Sequence, residues 1–249
     1  MSNQNQSESG EPMDTKQTAS AKSAPQENTS TKSDSSIYSL TRRFRDIIDT
    51  TEKQMKITVV GAGSIGSNLV PLLARLGIQD ITVYDDDIVE DHNLGHQAFG
   101  VSAIGSSKVQ ALAKEVHFAT KTIIKPINFK TDGKDIDTDI LVLAVDSMKA
   151  RAEIFENAKF QFCVDGRMGG EVINVYTCSS LDDDNYKKTL YSDEEASPLS
   201  CGGRSIGYVS YLISALMEIQ IKKILNEEEF AEEINFCARN LIMQTSLDG

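Results

Sequence analysis

The sequence predicts an α/β fold: a doubly wound, mostly parallel sheet with helices on both faces and antiparallel strands at its C-terminal end. Three observations carry this expectation. Short aliphatic runs alternate with longer stretches whose apolar residues recur at three- and four-residue steps, the order that wraps a parallel sheet with right-handed crossovers. The run Asp139–Val145, DILVLAV, is apolar almost throughout, as a strand covered on both faces must be. The run Lys56–Val60 is closed at once by glycines and followed by a helical stretch, so strand, tight turn and helix succeed one another.

The elements come in the following order. Residues 1–35 are mostly Ser, Thr, Gln, Asn, Glu and Lys with almost nothing to bury. Such a segment cannot offset its ordering entropy, and a disordered tail is expected, leaving 36–249 as one domain. In Ser36–Thr51, the residues Ile37, Leu40, Phe44, Ile47 and Ile48 stand at helical spacing and predict a short amphipathic helix with arginines on its other face. After the strand at Lys56–Val60 comes a helix over Ile65–Leu76, ended by Gly77, and a second strand over Asp80–Asp85. A helix over Ser106–Phe118 precedes a strand in Lys121–Phe129 and the buried strand DILVLAV. Ser147–Ala158 reads as a helix, and Phe160–Asp165 and Glu171–Cys178 as strands. Ser179–Gly203 is polar, acidic and long for a compact domain, which marks a functional or mobile loop. The apolar run Ile206–Leu225 is interrupted by Ser210, Ser214, Glu218, Gln220 and two lysines, and suits a core helix better than a membrane span. Glu232–Ser246 is expected to form the last strand.

Composition excludes several classes. A net charge of −12 argues against a nucleic-acid partner. The four cysteines (Cys163, Cys178, Cys201 and Cys237) are widely spaced with no CxxC pair, so neither a disulfide framework nor a four-cysteine zinc site is expected. The first residues carry no apolar signal segment. A soluble, cytoplasmic protein that does not contact membranes is expected.

Gly61, Gly63 and Gly66 form G-x-G-x-x-G between the first strand and its helix, a Rossmann-like phosphate turn. About twenty residues on, Asp85 ends the second strand, where a carboxylate can take ribose hydroxyls. Alone, this pair points first to a nicotinamide dinucleotide. The segments downstream of Asp85 point elsewhere. Asp85-Asp86-Asp87 leads into IVEDHNLGHQ, then IGSSK, then LAVDSMKAR. Amides and a cation can hold triphosphate oxygens, and a strand-end carboxylate can hold Mg²⁺, as phosphoryl and nucleotidyl transfer require.

These segments resemble the ThiF/MoeB/HesA family, small bacterial relatives of ubiquitin-activating enzymes. The family pattern runs glycine turn, D-x-D, N-L-x-R-Q, G-x-x-K and D-N-x-x-x-R. It is met in order by Gly61–Gly66, Asp85–Asp87, Asn93–Gln97, Gly105–Lys108 and Asp146–Arg151, and the resemblance covers roughly residues 40–226. It implies a MgATP-dependent enzyme in which the C-terminal carboxylate of a small ubiquitin-like protein ending in Gly-Gly attacks the α-phosphate. Pyrophosphate leaves and an acyl-adenylate remains. By the same resemblance Asp85 holds the ribose beside Asp87, Lys108 neutralises phosphate charge, Asn93 and Gln97 position phosphates, and Asp146 ligates Mg²⁺. Arg151 is either a phosphate ligand or the salt-bridge partner of a nearby acid. The family is usually a two-fold dimer, and a homodimer is expected.

The chain departs from the pattern at two positions. His96 stands where the family has arginine, and a neutral imidazole cannot give a guanidinium's bidentate phosphate contact. Arg42, Arg43 or Arg45 could compensate from a partner subunit, or form a solvated helix face. Ser64 replaces a common glycine of the turn. The family's zinc-binding cysteine pairs are missing, so no structural metal is expected. Cys201, in SPLSCGGRSIGY with Arg204 nearby and a helix following, is in a setting that lowers a thiol's pKa. It is either a nucleophile for sulfur transfer or thioester formation, or a small residue in a glycine loop. Cys163, Cys178 and Cys237 fall in predicted strands and are expected to be buried. Two other functions stay open: a module that binds a ubiquitin-like partner or nucleotide without turnover, and a nicotinamide-dependent oxidoreductase.

Overall fold

The computed structural model describes residues 39–179, 184–191 and 206–247. The expected disordered tail, Ile37, Cys201, Arg204 and most of the loop 179–203 lie outside the described residues.

Eight strands form one sheet in the order β3-β2-β1-β4-β5-β6-β7-β8. β1 (Ile57–Val60), β2 (Ile81–Tyr84), β3 (Lys125–Ile127), β4 (Ile140–Leu143) and β5 (Phe162–Gly169) run parallel. β6 (Val172–Cys178), β7 (Ala231–Cys237) and β8 (Ile242–Leu247) continue the sheet antiparallel. From β1 the chain steps outward to β2 and β3, then crosses back to lay β4 on the other side of β1. Strand order therefore reverses between β1 and β4, and a crevice opens beyond their carboxyl ends. Both strands are buried at every position, as their aliphatic sequences demand.

Alternation along the strands divides the core in two. Leu69 and Leu73 of α1 (Gly66–Leu76), Leu112 of α2 (Lys108–Thr120), and Ile213 and Met217 of α5 (Gly207–Leu225) pack with Val59, Val142 and Val164. On the opposite face Ile154 and Phe155 of α3 (Met148–Asn157) and Tyr186 of α4 (Asp184–Lys188) pack with Val60, Leu141 and Leu143. Among the described residues no helix is long and apolar enough to cross a membrane.

Three expectations need correction. The helix over Ser36–Thr51 is, among its described residues, one helical turn at Ser39–Thr41 followed by turns. Its side chains bond elsewhere: Thr50 donates its hydroxyl to the Leu76 carbonyl at 2.9 Å, and Asp49 takes the backbone N–H of Thr51 at 3.0 Å, local bonds that compete with a helix. The apolar stripe is split, with Ile48 in the core and Ile47 exposed. Glu232–Ser246, expected as one strand, folds back as the β7–β8 hairpin. Its turn contains Asn240 and Leu241, the latter at φ 54, and has no glycine or proline to announce it. Cys237 is only half-buried, whereas Cys163 and Cys178 are buried and face each other across β5 and β6.

Candidate active site

The carboxyl ends of β1 and β4 open into a cleft of about 860 Å³. Gly61 leaves β1 at φ +100, and its N–H donates to the Tyr84 carbonyl at 2.8 Å. A Cβ there would lie 2.5 Å from the Ala144 oxygen, so glycine lets the ends of β1 and β4 close on each other. A Cβ on Gly66 would run into the Gly61 carbonyl, so Gly66 closes the turn from behind. Gly63 is different. Its φ is not positive, and nothing lies within 4 Å of where its Cβ would be. Neither conformation nor packing requires glycine at Gly63; the empty space belongs to the cleft. α1 begins beside it with no side-chain cap and no acid in its first turn, leaving the positive end of the helix uncompensated.

Opposite the turn, both carboxylate oxygens of Asp85 are engaged. One takes the N–H of Ala62 at 2.7 Å and the other the N–H of Asp87 at 2.9 Å. Burial nevertheless raises the Asp85 pKa above the ordinary carboxylate value, outweighing those two bonds. Asp87 pairs with the Lys108 ammonium at 2.7 Å; the lysine side chain is 9% exposed, its partner's 66%. Asn93 is buried and accepts the Glu90 N–H at 2.9 Å, fixing the 3₁₀ turn Asp91–Gly95. Gln97 is buried too, and its side-chain oxygen has no hydrogen-bond partner among the described residues. One end of that amide is therefore presented to the cleft without a protein partner among the described residues.

His96 and Ser64 touch: imidazole Nδ1 lies 2.7 Å from the hydroxyl. Asn68 donates its amide to the Ser64 carbonyl at 2.8 Å and to the His96 carbonyl at 3.0 Å, fastening the glycine turn to the loop that carries the histidine. Burial, with His92 and Lys108 adding, lowers the His96 pKa, and the ring is neutral at pH 7.

Asp146 comes just after β4, exposed in the cleft and without a hydrogen bond or ion pair among the described residues. Ser147 behind it caps α3 through the Ala150 N–H at 3.3 Å. Arg151 is buried, pairs with Asp165, and donates to the Val145 carbonyl at 2.5 Å, bracing the backbone beside Asp146. Of the two roles the sequence left open for Arg151, the salt bridge is the one this geometry displays. Asp165 also accepts from Arg167 at 2.7 Å and from the Tyr186 hydroxyl at 3.1 Å; burial raises the Tyr186 pKa far above its ordinary value. Arg167 clasps Thr189 through its carbonyl and hydroxyl, each at 2.8 Å.

The fold brings Gly61, Gly63, Ser64, Asp85, Asp87 and Asn93 to one cleft. His96, Gln97, Lys108, Asp146 and Arg151 line it as well, while Gly66 stands behind the turn. Cys201 lies outside the described residues. Arg42 and Arg43 are exposed, and Arg45 pairs with Asp49 at 3.1 Å, in a segment that packs on the end of α1 remote from the glycine turn. Sequence reasoning passed over Arg167 and Tyr186. The available signal was the charged pair Asp165 and Arg167 inside a strand otherwise buried on both faces. Among the described residues no three metal-ligating side chains cluster.

A model of the ThiF family matches residues 49–244. The SAMP-activating enzyme E1 of Haloferax volcanii is 26% identical over 113 residues, which are 43% of this chain and 42% of that protein. The NEDD8-activating enzyme E1 catalytic subunit of Arabidopsis thaliana is 32% identical over 112 residues, 43% of this chain and 25% of that protein. The chain spans less than half the length of either relative. E. coli MccB, solved with AMPCPP and MccA, shares the fold with a TM-score of 0.64 and 17% identity, over 90% of this chain and 74% of that one.

Proposed function

The chain belongs to the ThiF family, and from that premise we propose that it is an ATP-dependent adenylyltransferase acting on a small ubiquitin-like protein ending in Gly-Gly. A C-terminal carboxylate oxygen forms the new bond to the α-phosphorus. The bond from that phosphorus to the α,β-bridging oxygen breaks, and its electron pair departs with pyrophosphate. No proton needs to move. The observation that carries this reading is Gly63, which neither φ nor packing requires to be glycine and which lines the cleft where the strand order reverses.

The chain's own residues divide the work. Backbone around Gly63 and the start of α1 takes phosphate oxygens, Asp85 takes the ribose hydroxyls beside Asp87, and Asn93 and Gln97 orient the triphosphate. Lys108 turns from Asp87 toward phosphate. Asp146 would hold Mg²⁺, which when bound neutralises charge on the triphosphate. Arg151 keeps the Asp146 loop in place. The partner relationships of the E1-type relatives support a ubiquitin-like substrate, and a homodimer is part of the proposal. Pyrophosphate exchange with a β-grasp protein ending in Gly-Gly tests it: exchange dependent on that protein is expected. A second reading, nucleotide or partner binding without turnover, is favoured by the uncharged His96. Tight MgATP binding with no exchange decides for it.

A further inference from the structure

α5 is apolar on two sides. One side, with Val209, Ile213, Met217 and Ile221, is buried against the sheet and α1. On the other, Tyr208, Leu212 and Ile219 are exposed, and Tyr211 is 62% exposed. At 3.6 residues per turn these four fall with Ala215, Glu218 and Lys222 inside an arc of about 120°. A helix that is apolar on the side away from its own core has a second face to cover. Along the middle of this face, positions 208, 212, 215, 219 and 222 step alternately by four and three, the spacing by which two helices pair. None of these residues lines the cleft, so a body seated here leaves the nucleotide site open.

We infer that this face of α5 is the contact between two copies of the chain, with the two helices antiparallel about a two-fold axis at Ala215. The face is complementary to itself in that arrangement and in no parallel one. Residues on the same flank and about equally far to either side of Ala215 meet across the axis. Leu212 and Ile219 share one flank, so each lies against the other in the second copy, apolar on apolar. Tyr211 and Glu218 share the opposite flank. Glu218 is half-buried and has no hydrogen bond or ion pair among the described residues, and burial raises its pKa above the ordinary carboxylate value. The Tyr211 hydroxyl of the other copy can donate to that carboxylate. On the midline, the Lys222 ammonium of one copy reaches the Tyr208 ring of the other. Ala215, small and on the axis, lets the helices approach. A parallel pairing would instead set Glu218 against Glu218 and Lys222 against Lys222.

This inference rests on the homodimer proposed above and not on adenylyl transfer. Its test is sedimentation of the full chain at micromolar concentration, where the wild type is expected to be a dimer. Leu212→Glu and Ile219→Lys each put an uncompensated charge into the contact. Each alone is expected to raise the dimer dissociation constant at least about a hundredfold and to run as a monomer. Both side chains are exposed, so the circular dichroism of the two variants should match the wild type. An equimolar mixture of the two is expected to recover a dimer, because the antiparallel register sets Glu against Lys. The double variant in one chain should recover it as well.

A monomeric wild type overturns this contact and the homodimer together. Single variants as dimeric as the wild type overturn the contact and leave the homodimer. A mixture and a double variant that stay monomeric overturn the antiparallel register. Variants that remain dimeric yet lose exchange dependent on the β-grasp protein assign the face to that protein, against this inference. Pyrophosphate exchange by the wild type stands or falls apart from all of these.

Discussion

Replacing Gly63 by alanine separates a glycine kept for a ligand from one kept for the fold. Nothing lies within 4 Å of the added methyl, and φ at this position is not in the left-handed region. The folded state therefore loses nothing, while the unfolded chain loses freedom, an effect of about 0.4–1 kcal/mol in favour of folding. In a domain of this size that raises Tm by about 1–4 °C. The same methyl stands in the space that phosphate oxygens would fill against the start of α1, so MgATP affinity should fall at least about tenfold, or about 1.4 kcal/mol. Gly66→Ala is the control. Its methyl meets the Gly61 carbonyl, which is backbone and cannot rotate aside, and overpacking of that kind costs about 3 kcal/mol. Scanning calorimetry and nucleotide titration on both variants give the answer. A Gly63→Ala protein that binds MgATP like the wild type, or that melts several degrees lower, refutes the assignment of that space to phosphate.

Asp146→Ala should leave the melting curve in place, because the carboxylate bonds to nothing among the described residues, and lower pyrophosphate exchange by about two orders of magnitude or more. Arg151→Ala strands Asp165 with less than its full complement of cations in the core; a loss of about 3–5 kcal/mol in urea unfolding is expected. Lys108→Met, by contrast, should fold normally and show its defect in the Kd for MgATP. Cys201→Ser should keep adenylation near normal while blocking any thiol-sensitive conjugate on a non-reducing gel.

The parts of the fold that could be read in the sequence were those dictated within a few residues. β4 declared itself because a four-residue strand buried on every side admits only aliphatics, and the turn after β1 because Gly61 at φ +100 and the Gly66 approach exclude side chains. Asp85 was legible from its place at the end of β2. What stayed hidden was set by distant partners. Asp165 meets Arg151 across 14 residues and Tyr186 across 21, and no local pattern announces a charge that is satisfied from so far away. The apolar spacing of Ser36–Thr51 imitated a helix, but the bonds of Thr50 to Leu76 and of Asp49 to Thr51 decided otherwise. The turn between β7 and β8 uses Asn240 and Leu241, and a turn without glycine or proline reads as continuous strand.

Burial decides which of the cleft's cations can turn to a phosphate. Lys108, Arg151 and Arg167 all line the cleft, and each already faces a carboxylate. The Lys108 pair has one well-solvated member, Asp87, whose carboxylate can return to water when the lysine leaves it, so separating this pair costs less than parting two buried charges. Arg151 and Asp165 are both almost wholly buried, and parting them leaves an uncompensated charge in the core at a cost of several kcal/mol. Arg167 is held further by Thr189 and lies 4.3 Å above the Tyr176 ring. Of these three, Lys108 is the one that could turn to a bound triphosphate, and the two arginines would stay where they are. Their work is to hold the backbone behind Asp146 and the segment around Tyr186 on the sheet. This is why the loss of either arginine should register in stability, and the loss of Lys108 in nucleotide affinity.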